Sequence, residues 1–98
     1  MIYLIFYDIS DDKIRTKVAG HLTTHGYERI QYSVFSGIRN PKENSALWKE
    51  LLSLLTSVPA IRFYVIKTTK NNFKNMEIIG ETNWDIDYLL GNKHTLFI

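Results

Sequence analysis

Residues 2–7 read IYLIFY, an unbroken apolar run of β-branched, aliphatic and aromatic side chains. Such a run suits a central strand covered on both faces, not a half-solvated one that would alternate. The run ends on the carboxylate of Asp8, and Asp11 and Asp12 follow at once. A buried carboxylate is costly unless something pairs with it. The three acids therefore need an explanation, and both a structural and a chemical one are open.

The structural one is a helix start. Helix 1 is expected to begin near Ser10 or Asp11, with Ser10 as N-cap and Asp11 and Asp12 in the first turn, where the helix dipole favours negative charge. Ile14, Val18 and Leu22 step by four and form its buried stripe, and Gly26 ends it as the C′ residue. From residue 28 to 36 the period becomes two. Ile30, Tyr32 and Val34 are expected on a core face. Arg29, Gln31, Ser33 and Phe35 point the other way, on a polar surface with one aromatic that suits an interface or a substrate. Asn40-Pro41 with Glu43 opens helix 2, with Asn40 as N-cap. Leu47, Leu51, Leu54, Leu55 and Val58 are its apolar stripe, and Pro59 stops it. Residues 61–66, IRFYVI, read as a third strand, 67–75 as a loop or short turn, and 76–79 as a short fourth strand ending at Gly80.

One right-handed crossover after each of the first two strands puts both helices on one face of the sheet. The class is α+β, close to a ferredoxin-like sandwich. That fold needs a hairpin between the helices, which exists here only if residues 28–38 bend into two strands. Gly37 allows a bend without requiring it. At the C-terminal end, HTLFI at 94–98 looks like one more strand with no slot in a closed four-stranded sheet. The edge of a second copy would provide a slot.

At 98 residues the chain is one domain. A domain of this size buries roughly 60–70 % of its unfolded surface, so it gains from a partner. The 45 % hydrophobic content excludes wholesale disorder. The net charge of +2 neither establishes nor forbids nucleic-acid binding, because clustering matters more than the sum. The absence of cysteine excludes a disulfide scaffold, a Cys-based zinc site and a Cys nucleophile. The apolar run at 2–7 is too short for a signal-peptide core or a membrane span, so a soluble cytoplasmic protein without membrane partners is expected.

YLIFYDISDDKIRTKVAGHL at 3–22, followed by GYERIQYSVFSG at 26–37, resembles a CRISPR-associated family. These are small ferredoxin-like endoribonucleases, the smaller of the two proteins shared by nearly all spacer-acquisition systems. The likeness is dense over residues 1–38, architectural to about residue 80, and loose in the tail. It implies a βαββαβ domain over 1–80 with an antiparallel sheet and two helices on one face. It further implies an extension over 81–98 whose strand completes the partner subunit's sheet in a homodimer. Asp8 would face its twin across the two-fold axis. The family's activity is divalent-metal-dependent phosphodiester cleavage, with Mg²⁺ the expected ion, on single-stranded RNA and in some members double-stranded DNA. Its larger partner is the CRISPR integrase, within which it bridges DNA and its nuclease residues can be dispensable.

Asp8 is the catalytic and metal-binding candidate, and the alternative is a carboxylate that only receives the start of helix 1. One carboxylate cannot hold Mg²⁺ alone, but two from a dimer, with waters and a substrate phosphate, could. Tyr7, Arg15, Lys17, Arg29 and Phe35 are the nucleic-acid-binding candidates. Arg15 and Lys17, with Lys13, make helix 1 basic near Asp8, and their bland reading is an ordinary solvated face. The family often has arginine at both matching positions, so Lys17 carries over a weaker role without the guanidinium fork. Arg29 is the best single phosphate contact. Phe35 could stack a base or pack a dimer. Tyr7 could position a phosphate or belong to the core. His21 and His25 lie four apart with no third ligand evident, which favours a surface pair over a zinc site. Three further readings of the whole chain stay open: a non-catalytic DNA adaptor of the integrase, a related toxin-type ribonuclease, and a small-ligand module on a fold that hosts many functions.

Overall fold

In the structure, a computed structural model, residues 1–77 and 79 are described. β1 (Ile2–Asp8) is an inner strand, as its composition demands. It pairs antiparallel with β3 (Val34–Gly37) on one side and β4 (Arg62–Thr68) on the other, and β2 (Glu28–Gln31) adds beyond β3 to give the order β2-β3-β1-β4. α1 (Asp12–Thr24) joins β1 to β2 and α2 (Ser45–Leu55) joins β3 to β4. This is the ferredoxin-like βαββαβ arrangement.

The open question about residues 28–38 resolves as a hairpin. The chain turns at Tyr32 and Ser33, and a bulge between Arg29 and Gln31 absorbs Ile30. Arg29 then lies opposite Phe35 in the register. The hairpin also reverses the expected faces. Phe35 is fully buried against the helices, Ile30 packs on the other face near Ile2, and Tyr32 is 58 % exposed at the turn.

Both helices cover one face. Val18, Ala19 and Leu22 of α1 and Leu47 and Leu51 of α2 bury against Ile5 and Tyr7 of β1 and Phe35 of β3, with Phe63 and Val65 of β4 packed at the side. The other face carries Leu4, Phe6 and Asp8 of β1 and Tyr64 and Ile66 of β4. There, among the described residues, Phe73 on the short helix α3 (Lys70–Lys74) covers the Ile2 end. Tyr64 and Ile66 remain 45 % and 47 % exposed.

Helix ends differ from expectation by local chemistry. Asp11, not Ser10, caps α1, its Oδ1 accepting the Ile14 N–H at 2.9 Å. Such a cap contributes about 1 kcal/mol. Gly26 ends α1 as expected, with φ +91° and the Tyr27 and Gly26 N–H groups donating to the Leu22 and Thr23 carbonyls. Asn40 caps a short 3₁₀ turn, Pro41–Glu43, and Asn44 caps α2. α2 stops at Leu55, before Pro59 acts. The expected loop at 67–75 holds the end of β4 and α3. Met76 and Glu77 carry no regular structure. The rest of the fourth strand expected at 76–79, apart from Ile79, lies outside the described residues. So do the boundary at residue 80, Trp84 and the C-terminal strand.

Candidate nucleic-acid interface and carboxylate site

β1 ends by sending two neighbours to opposite sides of the sheet, because side chains alternate along a strand. Asp8 turns to the open face, exposed, with Arg62 of β4 as its cross-strand neighbour. Tyr7 turns toward the helices and is 5 % exposed. Its ring stacks with Phe35 at 6.3 Å and Phe63 at 6.1 Å. Its hydroxyl is buried and makes no hydrogen bond among the described residues. Burial pushes the Tyr7 hydroxyl above the ordinary tyrosine range, against the opposing pull of Arg29 and, more weakly, Arg15.

Arg15 rises from the second turn of α1 and is held on three sides. It donates to the Ile9 carbonyl at 3.0 Å and to the Asp12 carboxylate, and its guanidinium carbon lies 5.1 Å from the centre of the Tyr32 ring. Asp12 thus has a partner in this arginine, while Asp11 is the cap. Arg29 reaches the same place from β2, 5.8 Å from the Tyr32 ring and 5.3 Å from the Phe35 ring. Beside them runs a groove of about 680 Å³, lined by Thr16, Gly20, Thr23 and Thr24 of α1 together with Arg29 and Tyr32.

The fold therefore brings Tyr7, Arg15, Arg29 and Phe35 together around Tyr32. Lys17 and Lys13 stand exposed on α1 and take no part in those contacts. Phe35 is corrected as a base-stacking surface: it is fully buried, so no base can reach its ring. Tyr32 is the residue that the strand periodicity missed. Assigning residues 28–36 to one continuous strand put it in the core, whereas the hairpin places it at an exposed turn. An aromatic between two arginine-bearing segments was the available signal.

Two guanidiniums near one ring can bind a phosphate by charge and hydrogen bonding. The Asp8 carboxylate, on the other face, offers the hard oxygen ligand that Mg²⁺ prefers, but one chain supplies one such group. Among the described residues no group of three His, Cys, Asp or Glu side chains could hold a metal ion. His21 and His25 instead meet Glu50 of α2, with His21 Nδ1 at 2.7 Å and His25 Nε2 at 4.0 Å from the same oxygen, and so tie the two helices together. Trp48 packs edge-on against Phe63. No described helix is long and apolar enough to cross a membrane.

Residues 1–76 match the profile of the family described as CRISPR associated protein Cas2. A CRISPR-associated endoribonuclease Cas2 of Archaeoglobus fulgidus is 41 % identical over 51 residues, 52 % of this chain and 54 % of that protein. One from Synechocystis is 35 % identical over 81 residues, 82 % of this chain and 85 % of that protein. The chain thus spans about half the length of the first relative and most of the second. The crystal structure of Streptococcus pyogenes Cas2 at pH 6.5 superposes with a TM-score of 0.64 at 23 % identity, covering 82 % of this chain and all (100 %) of that one, which shows the fold. A chain of a partial Cas6-RT-Cas1–Cas2 complex superposes with a TM-score of 0.57 at 30 % identity, covering 80 % and 89 %.

Proposed function

This chain belongs to the Cas2 family, and on that premise we propose that two copies pair through the open sheet face to form a metal-dependent endoribonuclease that works with the CRISPR integrase in spacer acquisition. The observation that carries the reading is the position of Asp8. It is exposed on the same face as Leu4, Phe6, Tyr64 and Ile66, an apolar and aromatic surface that pairing would bury. Phe6 and Tyr64 already stack at 4.8 Å within that surface. Pairing two such faces brings the two Asp8 carboxylates toward one another. Like charges repel, and a divalent cation relieves the repulsion.

The Asp8 pair would hold Mg²⁺ with water and substrate oxygens completing its shell. When bound, the ion lowers the pKa of a water and stabilises charge on the phosphoryl oxygens. On the helix side, Arg15 and Arg29 bind backbone phosphates, and Lys17 adds sequence-independent attraction. These contacts suit RNA and double-stranded DNA alike. The relatives' names favour RNA cleavage, and the neighbour in the Cas1–Cas2 complex favours an integrase partner.

A second reading has its own support: Arg15 and Arg29 gather at Tyr32 on the helix side of the sheet, away from Asp8, so the basic surface does not need the carboxylate. Under it, the dimer and its basic surface bridge DNA for the integrase without cleaving anything. One experiment decides. Wild type and Asp8→Ala are sized, then given labelled single-stranded RNA and double-stranded DNA with Mg²⁺ or with EDTA. The enzyme reading expects metal-dependent cleavage that vanishes in a dimeric Asp8→Ala protein. Binding without cleavage, or cleavage that survives the substitution, favours the adaptor.

A further inference from the structure

Arginine side chains repel one another and are mobile, yet Arg15 and Arg29 converge here from different elements. Both reach Tyr32, at 5.1 and 5.8 Å from its ring centre, so their guanidinium carbons lie no farther apart than the sum of those distances. The negative face of an aromatic ring attracts such cations. Arg15 is further fixed by the Ile9 carbonyl and Asp12, and Arg29 by the Phe35 ring. Tyr32 has most of its surface in solvent, and it belongs to neither buried cluster among the described residues. Its place at the hairpin turn is therefore not explained by packing.

We propose that Tyr32 is a positioning residue: its ring holds the Arg15 and Arg29 guanidiniums together so that both engage one phosphate at the mouth of the groove between α1 and the β2–β3 hairpin. The ligand is a phosphodiester of a nucleic-acid backbone, so the inference rests on the function proposed above and specifies how that function binds its substrate. The groove fits this use. Thr16, Thr23 and Thr24 line it with hydroxyls, and a Cβ built on Gly20 would meet no atom within 4 Å, so the helix surface there is open to a strand. Asp8 faces the other side of the sheet. A strand held at Tyr32 and cut at Asp8 must pass around the C-terminal end of β1.

The test compares wild type with Tyr32→Leu and Tyr32→Phe. Affinity for a labelled single-stranded RNA is measured across a salt series, and circular dichroism confirms folding, which an exposed position should tolerate. Tyr32→Leu keeps bulk but removes the ring. It is expected to bind about 3–10-fold more weakly and to lower the slope of log K against log salt by about 0.7, the loss of one phosphate contact on a single strand. Tyr32→Phe keeps the ring and should match wild type in both. A merely structural role would not change the slope. Wild-type affinity and slope in Tyr32→Leu would overturn the inference and leave the proposed function standing. A Tyr32→Phe protein as weak as Tyr32→Leu would also overturn it, by assigning the effect to the hydroxyl. Absence of any RNA or DNA binding by wild type would overturn both.

Discussion

Replacing Tyr7 with phenylalanine should make the protein more stable and leave nucleic-acid binding unchanged. The ring itself is well placed, stacked with Phe35 and Phe63, and phenylalanine keeps that packing. Only the hydroxyl changes. In the folded chain it has lost water and gained no hydrogen bond among the described residues, although the Arg29 charge stands near it. A buried unsatisfied polar group costs about 1–3 kcal/mol. The nearby guanidinium offsets part of that, which leaves a gain of about 1 kcal/mol for Tyr7→Phe, or about 4–8 °C in Tm for a domain of this size. The assay is thermal unfolding with a urea titration in parallel, and the slope with denaturant should not change. Affinity for RNA, measured on the same samples, should not change, because the buried hydroxyl is out of reach of a phosphate. A Tyr7→Phe protein that is less stable than wild type would refute the reasoning, because the hydroxyl would then be satisfied in the folded state.

Alkaline pH provides a second check. Burial holds the Tyr7 and Tyr27 hydroxyls above the ordinary value of 10.0. Above that pH the unfolded chain binds fewer of these protons than the folded one, so stability falls as pH rises. The fall in urea midpoint above about pH 10 should be smaller in Tyr7→Phe than in wild type. Gly37→Ala should destabilise: a Cβ there would lie 2.4 Å from Tyr27 Cδ2, and the Tyr27 hydroxyl is anchored to the Arg39 carbonyl at 2.8 Å, so the ring cannot simply swing away. Overpacking of this kind costs about 1–3 kcal/mol, readable as a lower urea midpoint.

The elements that periodicity could reveal were those with strong, one-sided patterns. β1 announced itself by its unbroken apolar run, α1 by Ile14, Val18 and Leu22, and α2 by its leucines. The hairpin did not, because Tyr32 and Ser33 turn the chain without glycine, asparagine or proline, and alternation continues across the turn as if one strand ran through. That hidden turn reversed the faces. It sent Phe35 to the core and Tyr32 to solvent, so the periodic placements of Phe35 and Tyr32 failed together. Arg15 and Arg29 were legible as cations, but their convergence is a tertiary fact that no spacing encodes. The shift of the α1 cap from Ser10 to Asp11 is a choice between two good capping residues one position apart.

β1 spaces its last two side chains by a single residue, with Tyr7 committed to the helix-covered interior and Asp8 to the opposite surface. An insertion or deletion that slips this strand by one position against β3 and β4 would exchange them. A carboxylate would enter the aromatic layer and a phenol would replace the acid on the opposite surface. The number of residues in β1 thus fixes which side of the sheet each of them faces. Variants in this family should therefore tolerate changed letters within the strand far more readily than a changed count.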